Sequence, residues 1–404
     1  MDPDPGGVVI VGAARTPIGR FGGVFRTVHP AGLAAAATRA ALEGAAIPVE
    51  AVDEVMMGHA RQAGSGPNTA RQVVKRAGLP ETVPAYTINK ACASSLQAVA
   101  SGAQSILTGE SEIVVAGGME SMSRVPYFVN AEDARWGHKM GQFALVDAMY
   151  RDGFTCSLCG LIMGETAEIL AHQYGITREE SDVYALETQR RTAAAQAAGR
   201  FIEEIVPVTV TDAKGTSTVV SADEHPRPET TIDSLRKLPL VFGEVEGQTG
   251  IITAGTSSGI TDGAAAVVLM SGRRARSSDV PARARILGWA TAAVNPRIMG
   301  IGPVPAVRKL LSRLKLTLDD FDLVELNEAF APQVLAVLRD LPIPLAKLNV
   351  NGGAIALGHP IGATGARMLV TLLHEMEKRN VRRGLATLCV SGGLGMAMAI
   401  ERSR

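Results

Sequence analysis

One order of β-prone and helix-prone segments occurs twice along this chain, near its two ends, and that repetition constrains the fold more than any single motif. Val8-Val-Ile-Val-Gly-Ala-Ala reads as a buried strand, 31–42 as an alanine-rich helix and Val52-Asp-Glu-Val-Met-Met-Gly as a second strand. A strand over 85–89, a helix over 94–107 and the strand-like run Ser111-Glu-Ile-Val-Val-Ala-Gly-Gly complete the first unit. Ala284-Arg-Ile-Leu-Gly-Trp-Ala, a helix over 306–314 and Phe321-Asp-Leu-Val-Glu-Leu-Asn327 then repeat the order, followed by a helix over 362–378 and Leu385-Ala-Thr-Leu-Cys-Val-Ser-Gly-Gly. Alternation of this kind is the signature of α/β architecture. Its recurrence predicts a duplicated unit with two sheets, and an interface between the halves where reactive groups can meet.

At 404 residues the chain exceeds what one core usually holds, in keeping with two fused halves. Between residues 120 and 259 the rhythm breaks into isolated helices, such as 164–174 and 178–198, with more proline and polar residues. This stretch reads as an insertion that covers a substrate. The expected organisation is therefore residues 1–119 with 260–274 as the first half, 120–259 as a lid, and 275–404 as the second half.

Lysine plus arginine balances aspartate plus glutamate at 40 each, so no global field attracts nucleic acid or an anionic membrane. An anionic ligand must be held by a local site. Met1-Asp-Pro-Asp-Pro-Gly-Gly lacks the basic start and apolar core of a signal peptide, and no later stretch is apolar enough to span a bilayer. A cytoplasmic protein is expected, with its four cysteines kept as thiols.

Two of those cysteines, Cys92 and Cys389, each follow a β-prone run and precede small residues. A thiol at a strand end, with little bulk after it, can face a cleft while nearby backbone N–H groups stay open to a ligand. His359 lies in Asn351-Gly-Gly-Ala-Ile-Ala-Leu-Gly-His-Pro-Ile-Gly-Ala-Thr-Gly365, after a glycine-rich turn and before Pro360 at a helix start. Such a histidine sits at a loop tip and not on an apolar face. Asn327 follows a strand and carries an amide able to hold a water or orient an imidazole. Together the four suit acyl transfer: one thiolate attacks a carbonyl, the imidazole handles its proton, and the second thiol serves the leaving carbon.

These residues sit in motifs that resemble the thiolase family from end to end. The matching segments are Ala13-Ala-Arg-Thr-Pro-Ile-Gly19, Asn89-Lys-Ala-Cys-Ala-Ser94, Gly117-Gly-Met-Glu-Ser-Met-Ser-Arg124, Thr253-Ala-Gly, Ser258-Gly-Ile-Thr-Asp-Gly-Ala-Ala265, Met299-Gly-Ile-Gly-Pro-Val-Pro305, Asn327-Glu-Ala-Phe330, 351–365 and Cys389-Val-Ser-Gly-Gly393. The resemblance implies a five-layer αβαβα arrangement of two duplicated halves with an inserted loop domain. It implies Cys92 as the acylated nucleophile, Cys389 as general acid and base, and His359 as activator of Cys92. His359 and a water held by Asn327 would form one oxyanion hole, and the N–H groups of Cys92 and Ser391 the other.

By the same resemblance Arg227, Ser234 and Phe242 surround the adenine end of coenzyme A, Ser258 meets its pantetheine, and Met163, Met299 and Phe330 line the channel. Coenzyme A would be a co-substrate, with no permanently bound cofactor and no metal, and the protein a homodimer or homotetramer. The implied reaction is reversible thiolysis of 3-ketoacyl-CoA to acetyl-CoA and a shortened acyl-CoA. The degradative direction is favoured, because Ile162 stands where short-chain biosynthetic members often carry histidine.

Alternatives are a biosynthetic acetoacetyl-CoA thiolase, a β-ketoacyl synthase, and a thiolase-like lipid-binding protein without catalysis. Cys389 and the Asn327–Phe330 segment speak against the synthase. The chain departs from the family pattern at Ser95 and Ser391, where glycine is usual, and at Leu240, where proline is usual. Ser95 is expected to crowd the nucleophile, and Ser391 to narrow the backbone angles of its turn. Cys156-Ser-Leu-Cys159 has the spacing of half a zinc site but no second pair to complete it, and it reads as a loop near the acyl pocket.

Overall fold

A computed structural model describes residues 7–403. Nine principal strands are β1 (Val8–Arg15), β2 (Glu54–Gly58), β3 (Ala85–Ile88), β4 (Ile113–Ser121), β5 (Thr261–Ser271), β6 (Ala284–Ala293), β7 (Leu323–Leu326), β8 (Arg383–Val390) and β9 (Leu394–Arg402). The main helices are α1 (Pro30–Gly44), α2 (Thr69–Ala77), α3 (Ser94–Thr108), α4 (Met163–Tyr174), α5 (Arg178–Ala197), α6 (Pro303–Leu314), α7 (Ala331–Asp340) and α8 (Thr364–Lys378). The strands run in the order β7-β8-β9-β6-β1-β5-β4-β2-β3.

The halves are related as the repeat predicts. In the first, β2 lies parallel to both β3 and β4, and β5 is antiparallel between β4 and β1. In the second, β7 is parallel to β8, and β9 is antiparallel between β8 and β6. The two expected sheets are, however, not separate. Val9 and Ile10 pair with Arg285 and Ala284, so β1 and β6 join them along one edge. The first strand of each half is the element that meets its repeat, and so short a seam leaves the sheets free to fold over each other.

Side-chain alternation explains the layering, since successive residues of a strand point to opposite faces. Val8 and Ile10 enter a core shared by both halves, whereas Val9 and Val11 enter a second core under α1 and α2. Ala265, Val267 and Leu269 of β5 face the shared core, with Ala264, Ala266 and Val268 on the other side. On β9, Met396, Met398 and Ile400 face the shared core, while Ala397 and Ala399 face a third core with α6 and α7. The shared core holds α3 and α8, so helices lie outside, between and outside the two sheets, giving five layers. Among the described residues no helix is long and apolar enough to cross a membrane.

A buried ion cluster fastens the insertion to β1. Arg15, fully buried, donates from Nε to Glu204 at 2.7 Å and from Nη1 and Nη2 to Asp223 at 2.7 and 2.9 Å. Burial alone would favour a neutral group, but the two carboxylates outweigh it and raise the guanidinium further. Removing one partner of such a cluster strands the other charges away from water. Arg15→Ala is therefore expected to cost about 3–5 kcal/mol of stability, seen as a lower denaturant midpoint; an unchanged midpoint would refute the assignment.

Candidate active site

The start of α3 presents Cys92 through a strained turn. Ala91, just before it, has φ +44°, a left-handed backbone unusual for a residue with a Cβ. Asn89 holds the turn, accepting from Ala91 N–H and donating to the Ala60 carbonyl, both at 3.0 Å. Ser94 closes it, accepting from Lys90 N–H at 2.8 Å and donating to the Ala91 carbonyl at 2.7 Å. Cys92 is half-buried and packs against Ala60, Met122, Met149 and Ile361. Ile361 belongs to the His359 loop, so the two segments meet around Cys92.

His359 is buried at the tip of its loop, where its own N–H donates to the Gly259 carbonyl at 3.0 Å. Its Nδ1 lies 2.6 Å from Thr364 Oγ1, and Thr364 spends its one proton on the Pro360 carbonyl at 3.0 Å. Thr364 must then accept, which assigns the imidazole proton to Nδ1 and leaves Nε2 unprotonated, as an acceptor. Asn327 Nδ2 faces that nitrogen at 3.4 Å. Burial, with Arg367 and Arg61 nearby, lowers the imidazole to about 3, so it stays neutral at working pH.

Asn327 is positioned by its neighbours. Asn349 clamps the Leu326 backbone in both directions at 2.9 Å and donates to Glu328, which also accepts from Tyr184 and from Ile355 N–H. With its surroundings so bound, Asn327 still keeps Oδ1 buried and without a protein partner.

The two thiols have different environments. Burial raises Cys92 above the ordinary thiol range, offset only in part by Arg61 and the N–H groups of Ser391 and of Cys92 itself. Burial together with the nearby Cys92 pushes Cys389 well above its ordinary range, and only its own N–H offsets this. Pairs of titratable groups driven apart in this way divide into the one that ionises and the one that holds a proton.

The channel residues converge in two groups. Met163, Met299, Ala329 and Phe330 form one apolar cluster around Cys389. Phe242 leans into this region, since a Cβ on Gly164 would lie 2.4 Å from its ring and 3.6 Å from Phe330. Ser258 joins the same wall, its N–H donating to the Ala329 carbonyl at 3.0 Å. Arg227 and Ser234 instead line a cleft of 620 Å³ with Arg20, His225, Leu238 and Ala254. Arg227 is exposed and free to reach a ligand, whereas the Ser234 hydroxyl donates to the Thr231 carbonyl at 2.7 Å.

The two serine departures are accommodated in their local backbone and hydrogen bonding. Ser391 is absent from the positive-φ residues, which in this turn are Gly392 at +88° and Gly393 at +83°, so serine at 391 adds no strain. The Ser95 Oγ accepts from Ala366 N–H at 2.9 Å, in the first turn of α8. The residue before α8 provides no side-chain cap, and Ser95 supplies one from the other half of the molecule. Ser95→Ala is expected to lower stability by about 1 kcal/mol and thiolysis by less than tenfold. An unchanged denaturant midpoint would show that the bond contributes nothing.

Three groups escaped the sequence reading. Glu120 accepts from the N–H groups of Ala60, Arg61 and Gly362 at 3.2, 3.1 and 2.9 Å and lies 3.2 Å from His59 Nε2. It ties the Cys92 side of the site to the His359 loop; its motif was visible, its partners were not. Arg61 is buried and donates to the Gly153 carbonyl at 2.8 Å. Thr364 sets the tautomer of His359.

Two family profiles match the chain: "Thiolase, N-terminal domain" over residues 8–273 and "Thiolase, C-terminal domain" over 280–402. An acetyl-CoA acetyltransferase of Cupriavidus necator is 49% identical over 98% of this chain and 99% of its own length. One of Escherichia coli K12 is 50% identical over 98% of each. Among solved structures, human mitochondrial 3-ketoacyl-CoA thiolase superposes with a TM-score of 0.94 at 42% identity, covering 98% of this chain and 99% of that one. The same human protein in complex with CoA gives 0.93 at 42% identity, with 98% of each chain covered.

Proposed function

The chain belongs to the thiolase family of acyltransferases, which use CoA as a substrate, and on that premise we propose that it cleaves 3-ketoacyl-CoA by thiolysis through a covalent acyl-Cys92. The observation that carries this reading is the unequal environment of the two thiols, Cys389 lacking the neighbouring donors that offset burial at Cys92, beside an imidazole whose Nε2 is unprotonated.

His359 Nε2 takes the Cys92 proton, and the thiolate attacks the 3-keto carbon. The developing oxyanion is received by the N–H groups of Cys92 and Ser391, the two that already point at the sulfur. The bond between C2 and C3 breaks, and its electron pair passes to the acetyl-CoA enolate. The enolate oxygen faces His359 and a water on the unpartnered Oδ1 of Asn327. Cys389, still protonated, delivers its proton to C2. Coenzyme A then enters and gives its thiol proton to the Cys389 thiolate; its sulfur attacks the acyl carbonyl, and Cys92 leaves as a thiolate that recovers its proton from His359.

We assign residues 120–259 to the cover of the coenzyme A cleft, with 1–119 plus 260–274 and 275–404 as the two catalytic halves. Arg20 and Arg227 at the 620 Å³ cleft suit an anionic nucleotide end, and the Phe242–Phe330 wall leads from the insertion towards Cys389. Tyr127, Trp136, Met140 and Leu145 are exposed on the same insertion, which supports a homodimer or homotetramer measurable by sedimentation.

The degradative direction is supported by the apolar surroundings of Cys92, where Met122, Met149, Phe154 and Ile361 can wall an acyl chain. The relatives named acetyl-CoA acetyltransferase favour a second reading, the interconversion of acetyl-CoA and acetoacetyl-CoA. Comparing kcat/KM for acetoacetyl-CoA, 3-oxohexanoyl-CoA and 3-oxodecanoyl-CoA separates them. The first reading expects the longer chains to match or exceed acetoacetyl-CoA; a steep fall beyond four carbons would establish the second.

A further inference from the structure

The Cys156-Ser-Leu-Cys159 turn lies against the catalytic loop, and thiolysis as derived above makes no use of it. The turn is closed by Gly160 N–H donating to the Cys156 carbonyl and by Cys156 N–H donating to the Leu161 carbonyl, both at 2.8 Å. Thr155 and Ile162 pair across its base, one residue before Met163. Both thiols are free, Cys156 buried and Cys159 half-buried, and the two side chains are within hydrogen-bonding reach of each other. No group of three or more His, Cys, Asp or Glu side chains placed to hold a metal ion is found among the described residues.

Two contacts tie this turn to the residues beside Cys92. Gly392 N–H points at Cys156 Sγ, and Leu158 Cδ1 lies 3.8 Å from where a Gly392 side chain would begin. Gly392 follows Ser391, whose N–H points at Cys92 Sγ. We propose that Cys156 and Cys159 form a reversible dithiol–disulfide site, and that its reduced state holds the Ser391–Gly392 backbone in register with Cys92. Oxidation draws Cys156 Sγ towards Cys159 and away from Gly392 N–H, which loosens the donor beside it.

The environment of the pair suits exchange chemistry. Burial opposes ionisation of Cys156, but the N–H groups of Leu158, Cys159 and Gly392 and the Cys159 thiol outweigh it and lower the group. Burial and the adjacent Cys156 raise Cys159. The co-reactant is a small cyclic disulfide or a protein dithiol–disulfide partner. The reachable sulfur of Cys159 attacks one sulfur of that disulfide, forming a mixed disulfide and releasing its second sulfur as a thiol. Cys156 then attacks Cys159 Sγ and expels the co-reactant as a dithiol. One S–S bond forms in the protein and one breaks in the co-reactant, which gains two electrons and two protons.

The effect on catalysis rests on the acyl-Cys92 reading; formation of the bond does not. The test equilibrates the full-length protein with mixtures of oxidised and reduced lipoamide, then alkylates it and maps its cysteines by mass spectrometry. The expected result is a Cys156–Cys159 disulfide that dithiothreitol reverses. Oxidised protein should show about tenfold lower kcat for thiolysis, less than the 10²–10³-fold loss typical of deleting an oxyanion donor. Cys159→Ser, which cannot form the bond, should keep its activity under the same mixture and so isolates any oxidation of Cys92 or Cys389. Recovery of both thiols alkylated under the oxidising mixture would overturn the site. A disulfide that lowers kcat no more than the same treatment lowers it in Cys159→Ser would overturn its link to the catalytic loop. A wild-type protein inactive before any treatment would instead count against the thiolase reading, with the mass-spectrometric result still interpretable.

Discussion

Cys92→Ala is expected to lower kcat for 3-ketoacyl-CoA thiolysis by about 10⁵–10⁶-fold, the scale seen when a covalent nucleophile is deleted from a preorganised site. The fold should survive, because the sulfur is half-buried in an apolar cluster and accepts only from backbone N–H groups. Rapid mixing of the wild type with a 3-ketoacyl-CoA should give a burst of acetyl-CoA and an acylated Cys92 peptide, and the variant neither. Turnover near the wild-type rate would rule out the covalent route. The pH profile gives a second check. Burial raises Cys92 despite Arg61 and the two N–H groups, so the thiolate fraction, and with it kcat/KM, should climb with pH through the neutral range. His359 is already neutral there, lowered to about 3, so no loss of a proton from imidazole should add an inflection near its ordinary value of about 6.5. A clear inflection there would mean that the loop opens and lets His359 titrate in water.

The sequence made the duplication and the four central residues legible because each lies in a local pattern: strand, small residues, glycine-rich turn. It was less informative about β5 and β9. Every residue of β5 is buried, and its alanines face helices on both sides, so no alternation of polar and apolar residues marks it as a strand. β9 is interrupted by Gly395 and two alanines and has the same difficulty. The seam between β1 and β6 was also hidden, since a pairing of two residues leaves no mark on composition. Glu120 shows the limit most clearly. It binds residues 60, 61 and 362, and no spacing rule links positions so far apart. The concern over Ser391 came from treating a missing glycine as lost freedom, and that over Ser95 from the bulk a side chain adds beside the nucleophile. The strained angles belong to Gly392 and Gly393, and at 95 the extra hydroxyl finds an unpaired N–H.

Cys389→Ala should separate two half-reactions that a purely structural defect would impair alike. Acylation of Cys92 by a simple acyl-CoA expels coenzyme A as a thiolate, a leaving group stable enough to depart without a proton. Cleavage of a 3-ketoacyl-CoA expels a carbon, and the enolate must be protonated at C2 before acetyl-CoA can leave. Only the second step needs an acid at the position of Cys389, and the environment there keeps that thiol protonated by burial and by the neighbouring Cys92. General acid–base catalysis contributes roughly 10²–10⁴-fold. We therefore expect carbon–carbon cleavage to fall by about 10³-fold, with acyl transfer from the simple thioester falling by less than tenfold. Stopped-flow acylation and steady-state thiolysis measure the two separately. Equal loss in both would mean that Cys389 supports the site by packing against Met299 and Ala329, and the division of labour between the two sulfurs would have to be abandoned. A selective loss restored in part by Cys389→Ser, whose hydroxyl can still donate a proton but is a weaker acid, would assign the proton transfer to this position.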